Sequence, residues 1–289
     1  MELQKPIFIV GTGRCGSTAF HRVLVRHPEL AYLSALLEKY PDKLYLNRWL
    51  MRMLDIPGLS MAARRVLPSE CWNFWQLHGI AGACRDLTAE DLTPARSKHL
   101  KALLGLLPAG RRKRLVVKLT GWPRIGYFRG IFPDAIFIHI IRDGRAVANS
   151  LLNVGWWQGW TGPENWGFGP LAGRYREQWE EHGRSFVALA GIEWKLLMDS
   201  FREASARLDS SEYLELRYEE ICASPVESFR KAADFCGLSF PGSFEAEIRN
   251  QPAFENRNFK WRRQLTEEQQ GILSRVLSSH LAEYGYMEE

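Results

Sequence analysis

The chain has 289 residues, 46% of them hydrophobic and 25% charged, with a net charge of +5. This is the composition of a globular domain with a sizeable core, and it excludes a disordered, collagen-like or disulfide-stapled chain. The mild positive balance suits a small anionic ligand. In chain order, four short runs of β-branched or aromatic residues read as buried strands: Ile7–Val10, Leu115–Leu119, Ile136–Ile141 and Tyr213–Leu216. Helical stretches lie around them at Ser17–Arg26, Asp91–Leu107, Arg145–Leu152, Arg174–Arg207 and Val226–Phe235. The alternation gives an α/β fold, a parallel sheet flanked by helices. Residues 30–110 repeat Leu, Met and Trp at helix-like spacing and read as a helical insertion, so residues 1–289 form one domain. Residues 153–172 set four tryptophans and Phe168 among glycines and prolines, an irregular aromatic loop. Thr266–Tyr284 closes the chain as an amphipathic helix with Thr266 as N-cap.

Five cysteines, odd in number and without C-x-x-C spacing, read as reduced thiols. The seven histidines are scattered and no H-E-x-x-H occurs, so no metal site is expected. The five residues before the first strand are too few for a secretory leader, and no apolar run approaches the ~20 residues of a membrane span. The expectation is a cytoplasmic protein. The basic run Arg111–Arg114 precedes a strand and reads as a solvated turn, with no nucleic-acid partner expected.

The chemistry begins at "PIFIVGTGRCGSTAF", where a buried strand runs into glycines and then into a helix at Ser17. Backbone N–H groups of such a turn, with the open helix end and the Ser17 and Thr18 hydroxyls, make a socket for phosphate. The spacing of Gly11, Gly16 and Thr18 is nearly that of a nucleotide-binding P-loop. Where that loop has lysine, however, this chain has Ser17, and the loop's cation is Arg14. An arginine fork suits two oxyanions that share a bridge. In "AIFIHIIRDGRAVANSLL", Arg142 follows a buried strand at the end where open α/β sheets bind ligands, and Ser150 lies on the next helix.

These segments resemble those of the sulfotransferase family. "PIFIVGTGRCGST" is similar to the family's 5′-phosphosulfate-binding motif and "FIHIIRDGRAVANS" to its 3′-phosphate-binding motif. "YLELRYEEICASPVESFRKAADFCGL" resembles the strand, Arg-Tyr-Glu segment and helix that follow in many members. The kinship is nearer to tyrosylprotein and bacterial members than to the phenol and steroid enzymes. The resemblance implies a P-loop-like fold and, as co-substrate, 3′-phosphoadenosine 5′-phosphosulfate (PAPS). It puts Arg14 at the bridging oxygen and wraps Cys15, Gly16, Ser17 and Thr18 around the 5′-phosphate. Arg142 and Ser150 would bind the 3′-phosphate, Tyr218 would line the site, and Lys260 of "NFKWRRQL" would supply the family's C-terminal basic group. Lys118, at the end of "RLVVKLT", resembles a lysine near the cofactor sulfate; a strand-end surface lysine is the other reading.

The implied reaction moves the sulfuryl group to a hydroxyl or amine of an acceptor and releases 3′,5′-adenosine bisphosphate (PAP). The acceptor's proton needs a base. "KLTGWP" lacks the histidine of phenol-type members, and of Glu29 and Glu38 the expectation falls on Glu38. The aromatic loop is either a cover over the acceptor or a minicore beneath a long loop, and its faces suit a small-molecule, glycan or lipid-like acceptor. Two rival readings are a P-loop small-molecule kinase with Asp143 on magnesium, and a PAPS- or PAP-binding protein without turnover.

Overall fold

Five strands, Ile7–Val10 (β1), Leu30–Tyr32 (β2), Arg114–Lys118 (β3), Ile136–Ile141 (β4) and Tyr213–Arg217 (β5), form one sheet in the order β2-β3-β1-β4-β5. The structure is a computed structural model and describes residues 3–80, 84–251 and 254–287. All four pairings are parallel, with Ile7 opposite both Val116 and Ile136, Leu30 opposite Arg114, and Phe137 opposite Tyr213. β1 and β4 are buried along their whole length, which is why they read as continuous apolar runs. From β1 the chain moves to one edge of the sheet and later crosses β1 to the other. The carboxyl end of β1 therefore lies at the switch point where such sheets form ligand crevices.

Four expectations change. Leu30–Tyr32 is the fifth strand, not the start of a helical insertion, and among the described residues, 54–59, 79–80 and 84–88 of that segment contain no α-helix. The expected helix 174–207 is two helices, Gly173–Glu181 and Phe186–Ser205. They break where Gly183 and Arg184 take φ of 65° and 56°, which no helix accommodates. The basic run is not solvated throughout. Arg112 is buried and donates to the carbonyls of His27 (3.1 Å) and Leu30 (2.8 Å), and Arg114 donates to those of Lys5 and Cys236. Arg112 thus ties down the β2 edge, and Arg114 ties β3 to the segment before β1 and to the helix end at Cys236. The closing helix, Glu267–Glu283, does carry Thr266 as N-cap, in a capping box completed by Gln269.

Two apolar cores result. One fills both faces of the sheet. The other packs the helices Gly144–Leu152, Phe186–Ser205 and Glu267–Glu283 around Trp194, Leu273 and Leu277. No helix among the described residues is long and apolar enough to cross a membrane.

Candidate active site

The loop after β1 is shaped by close approach. A Cβ on Gly11 would lie 2.7 Å from Cys15 Sγ and 2.8 Å from the Ile140 carbonyl oxygen. Gly16 has φ of 90°, and a Cβ there would sit 2.4 Å from the Tyr218 ring. Arg14 itself is left-handed at φ 53°, a conformation that costs energy for a non-glycine residue and marks a constrained turn. The helix Ser17–Leu24 opens with no side-chain cap and no acidic residue in its first turn. Its first N–H groups therefore face the loop, as an anion socket requires.

Arg142 follows β4 and is buried. Its Nε donates to Asn258 Oδ1 at 2.8 Å and its Nη1 to the Arg14 carbonyl at 2.9 Å, and its guanidinium lies 4.2 Å from the Tyr218 ring centroid. Among the described residues no carboxylate is within ion-pair reach of it. A buried cation held only by neutral groups is costly unless an anion joins it. Asp143 does not serve, because it caps the next helix and pairs with Arg145 at 2.6 Å. That engagement also removes it from the magnesium role of the kinase reading.

Arg14 is exposed, and its Nε donates to Ser150 Oγ at 2.9 Å. The side chain expected at the bridging oxygen thus reaches the serine expected at the 3′-phosphate, so the two anion-binding motifs meet through it. Lys260 lies exposed at the end of the short helix Asn258–Lys260. It is the neighbouring Asn258 that contacts Arg142, a residue the sequence reading passed over.

Lys118, at the end of β3, is buried, which sets aside the surface-lysine reading. Its Nζ lies 2.7 Å from Thr18 Oγ1 and 2.6 Å from the Glu70 carboxylate. Glu70 also accepts from the Thr120 hydroxyl at 3.1 Å. Glu38, by contrast, lies outside the cleft lining and accepts from the Asn73 backbone N–H at 3.4 Å. The carboxylate that meets Lys118 beside the loop is therefore Glu70, not Glu38. It arrives because Ser34 and Pro68 bridge antiparallel, folding the segment after β2 back over the strand ends.

Arg14, Thr18, Glu70 and Lys118 line a cleft of about 560 Å³. Trp72, Ile80, Trp122, Trp156 and Phe168 line it as well, with Glu193 in the wall. The aromatic loop divides its work. Trp157 and Trp166 are buried in the second core, Trp157 donating to Glu193 Oε2 at 2.6 Å and Trp166 to the Gly169 carbonyl. Trp156 is 61% exposed and reaches the cleft with Phe168, whereas Trp160 points to solvent outside it. Burial holds the Glu193 carboxyl at about 8 against the opposing Trp157 hydrogen bond, so it is mostly protonated at neutral pH. Burial, then the nearby Lys118 charge, lowers His21 well below its ordinary value and keeps it neutral.

The sulfotransferase family profile matches residues 6–242, which span the loop, the Arg142–Ser150 segment and β5. The chain belongs to the sulfotransferase family. It is accordingly a PAPS-dependent sulfotransferase, and the kinase and non-catalytic readings fall away. A curated relative, the omega-hydroxy-beta-dihydromenaquinone-9 sulfotransferase Stf3 of Mycobacterium tuberculosis, is 24% identical over 321 residues, covering 97% of this chain and 75% of its own. Among solved structures, sulfotransferase STF9 from Mycobacterium avium aligns with a TM-score of 0.60 at 17% identity, covering 98% of this chain and 77% of its own. The sulfotransferase domain from the curacin biosynthetic pathway aligns at 0.51 and 14%, covering 96% of this chain and 98% of its own. These two structural matches establish the common α/β fold.

Proposed function

We propose that this sulfotransferase acts on the hydroxyl of a lipid-like acceptor. The observation that carries this is the make-up of the cleft lining, which joins the Lys118, Glu70 and Thr18 cluster to the rings of Trp72, Trp122, Trp156 and Phe168. An apolar body lying on those rings would bring a terminal hydroxyl to the charged cluster. The Mycobacterium tuberculosis relative, by its name, sulfates an ω-hydroxylated dihydromenaquinone, an acceptor of that description.

Sulfuryl transfer forms a bond from the acceptor oxygen to sulfur as the bond from sulfur to the bridging oxygen breaks. Negative charge grows on the leaving oxygen, and Arg14 and Lys118 are the cations to meet it; one such donor contributes ~10²–10³ in rate. Glu70, paired with Lys118, takes the acceptor proton, the role the sequence reading gave to Glu38. Arg142 and Ser150 hold the 3′-phosphate, with Tyr218 packed against the loop. Because these cations supply the positive charge, turnover is expected to survive a chelator.

An acceptor screen with labelled PAPS tests the reading. Polyprenyl and alkyl alcohols are expected to be sulfated far faster than sugars or small phenols, and the reverse order would defeat it. Glu70→Gln is expected to lower kcat by ~10²–10⁴ with PAP affinity kept, whereas Glu38→Gln leaves kcat unchanged. A slow Glu38→Gln beside a fully active Glu70→Gln would return the base to Glu38.

A further inference from the structure

Charge is unevenly divided along this chain. Residues 43–69 and 92–114 carry twelve lysines and arginines against one carboxylate, Asp55. That is +11 in a chain whose net charge is +5, so the remaining residues sum to about −6. Some of the twelve are engaged within the fold: Arg64 pairs with Glu247, Arg111 and Arg112 reach Asp55, and Arg112 and Arg114 are turned inward onto carbonyls. Five others, Arg48, Arg52, Lys98, Lys101 and Lys113, line one groove of about 760 Å³.

The same two segments hold seven of the thirteen large hydrophobic side chains exposed among the described residues. Trp49 is 58% and Met61 80% exposed, joined by Tyr45, Ile56, Leu59 and Leu106, while Leu67 lies apart at the carboxyl end of β2. On the helix Leu44–Met53, Tyr45, Arg48, Trp49 and Arg52 fall on one face by their three- and four-residue spacing, opposite the buried Asn47, Leu50 and Met51. Exposed apolar side chains set among cations are disfavoured in water alone. They are the two halves of an interfacial anchor, with rings and aliphatic groups for the acyl boundary and cations for anionic headgroups.

We propose that this face docks the enzyme on an anionic lipid bilayer. The groove borders Leu3 and Lys113, just before β1 and β3, whereas the cleft borders Thr12 and Thr120, just after them. The two sites lie at opposite ends of the sheet, so the cleft stays open when the face is covered. A bilayer fits better than nucleic acid because isoleucine, leucine and methionine gain nothing from a phosphate backbone. The proposal stands on charge and exposure alone and does not require the lipid-like acceptor.

Cosedimentation with vesicles tests it. The enzyme is expected to bind phosphatidylcholine vesicles that contain phosphatidylglycerol and not pure phosphatidylcholine, with binding lost as salt shortens the screening length. Each neutralised cation near such a surface is expected to cost roughly fivefold in partitioning, so Arg52→Glu with Lys98→Glu is expected to lose ~25-fold or more. Trp49→Ser is expected to lose roughly tenfold through its apolar contribution. PAP affinity and kcat on a soluble acceptor are expected to stay unchanged in both variants, which also shows that they fold. Equal binding to both vesicle types, binding to neither, or indifference to the charge reversals would overturn the proposal. A concentration-dependent dimer lost in Trp49→Ser would give the face to a second copy, and oligonucleotide binding without vesicle binding would give it to nucleic acid; either overturns it.

Discussion

Arg142 can be singled out without any bound nucleotide, because its buried guanidinium contacts a carbonyl, an amide oxygen and a ring face but, among the described residues, no carboxylate. Its missing counter-ion is expected to be the 3′-phosphate. PAP then binds far better than AMP, and Arg142→Ala removes ~1.5–3 kcal/mol of that preference, roughly ten- to 150-fold, by titration of both nucleotides. Equal affinity of the wild type for the two would defeat the assignment. Arg14→Ala is expected to lower turnover more than PAP affinity, since PAP lacks the group whose departure Arg14 assists; an unchanged kcat with a raised KM would reduce it to a binding residue. The loop and Arg142 stand out in the sequence because each follows directly on a strand end, and Ser150 because it lies on the helix that comes next. Glu70 does not, since it lies about fifty residues from both the loop and Lys118 and reaches Lys118 only through the chain reversal at Ser34 and Pro68. Asn258 was hidden for the same reason, reaching Arg142 across 116 residues.

At the level of elements, the aromatic loop shows how far composition leads. Four tryptophans among glycines announce an irregular, aromatic segment, yet which of them turn inward depends on where each indole N–H finds an acceptor. Trp157 is drawn into the second core by Glu193 on the helix Phe186–Ser205, and Trp166 by the Gly169 carbonyl. Trp156, between them and the cleft, has no such anchor. Trp157→Ala is therefore expected to cost ~3–5 kcal/mol of stability and to leave Glu193 without its donor. Trp156→Ala is expected to shift the melting temperature little and to raise acceptor KM with PAP affinity kept. Acceptor kinetics that are unchanged in Trp156→Ala would remove that ring from the acceptor wall. The strands were largely legible, since buried parallel strands appear as unbroken apolar runs. β2 was not, because three residues are too short to stand out from a helical neighbourhood. The break at Gly183–Arg184 was missed because helical periodicity resumes on both sides of it.

Across the whole molecule, two buried carboxyls on the helix Phe186–Ser205 bracket the pH range over which the second core is stable. Burial alone would raise Asp199, but hydrogen bonds from His280 and Tyr175, with Arg174 nearby, overcome it and hold its carboxyl at about 2. A depressed acid contributes stability that is fully present above its unfolded value of 3.8 and is lost as pH falls towards 2. Glu193 acts in the opposite sense. Its folded value of about 8 lies above the unfolded 4.5, so between those values the folded state retains a proton that the unfolded chain has released. Stability therefore falls as pH rises from about 4.5 to 8, by up to about 1.4 kcal/mol per pH unit, and levels off above. Gln at position 193 would keep the oxygen that accepts from Trp157 and carry no proton to lose. Urea unfolding of wild type and Glu193→Gln at pH 5, 6, 7 and 8 (about one unit apart, to resolve that slope) is expected to give curves that diverge steadily, with the variant gaining on the wild type at each step. Parallel curves across that range would mean that Glu193 titrates as an ordinary carboxylate, and that the wall between the cleft and the second core is wet.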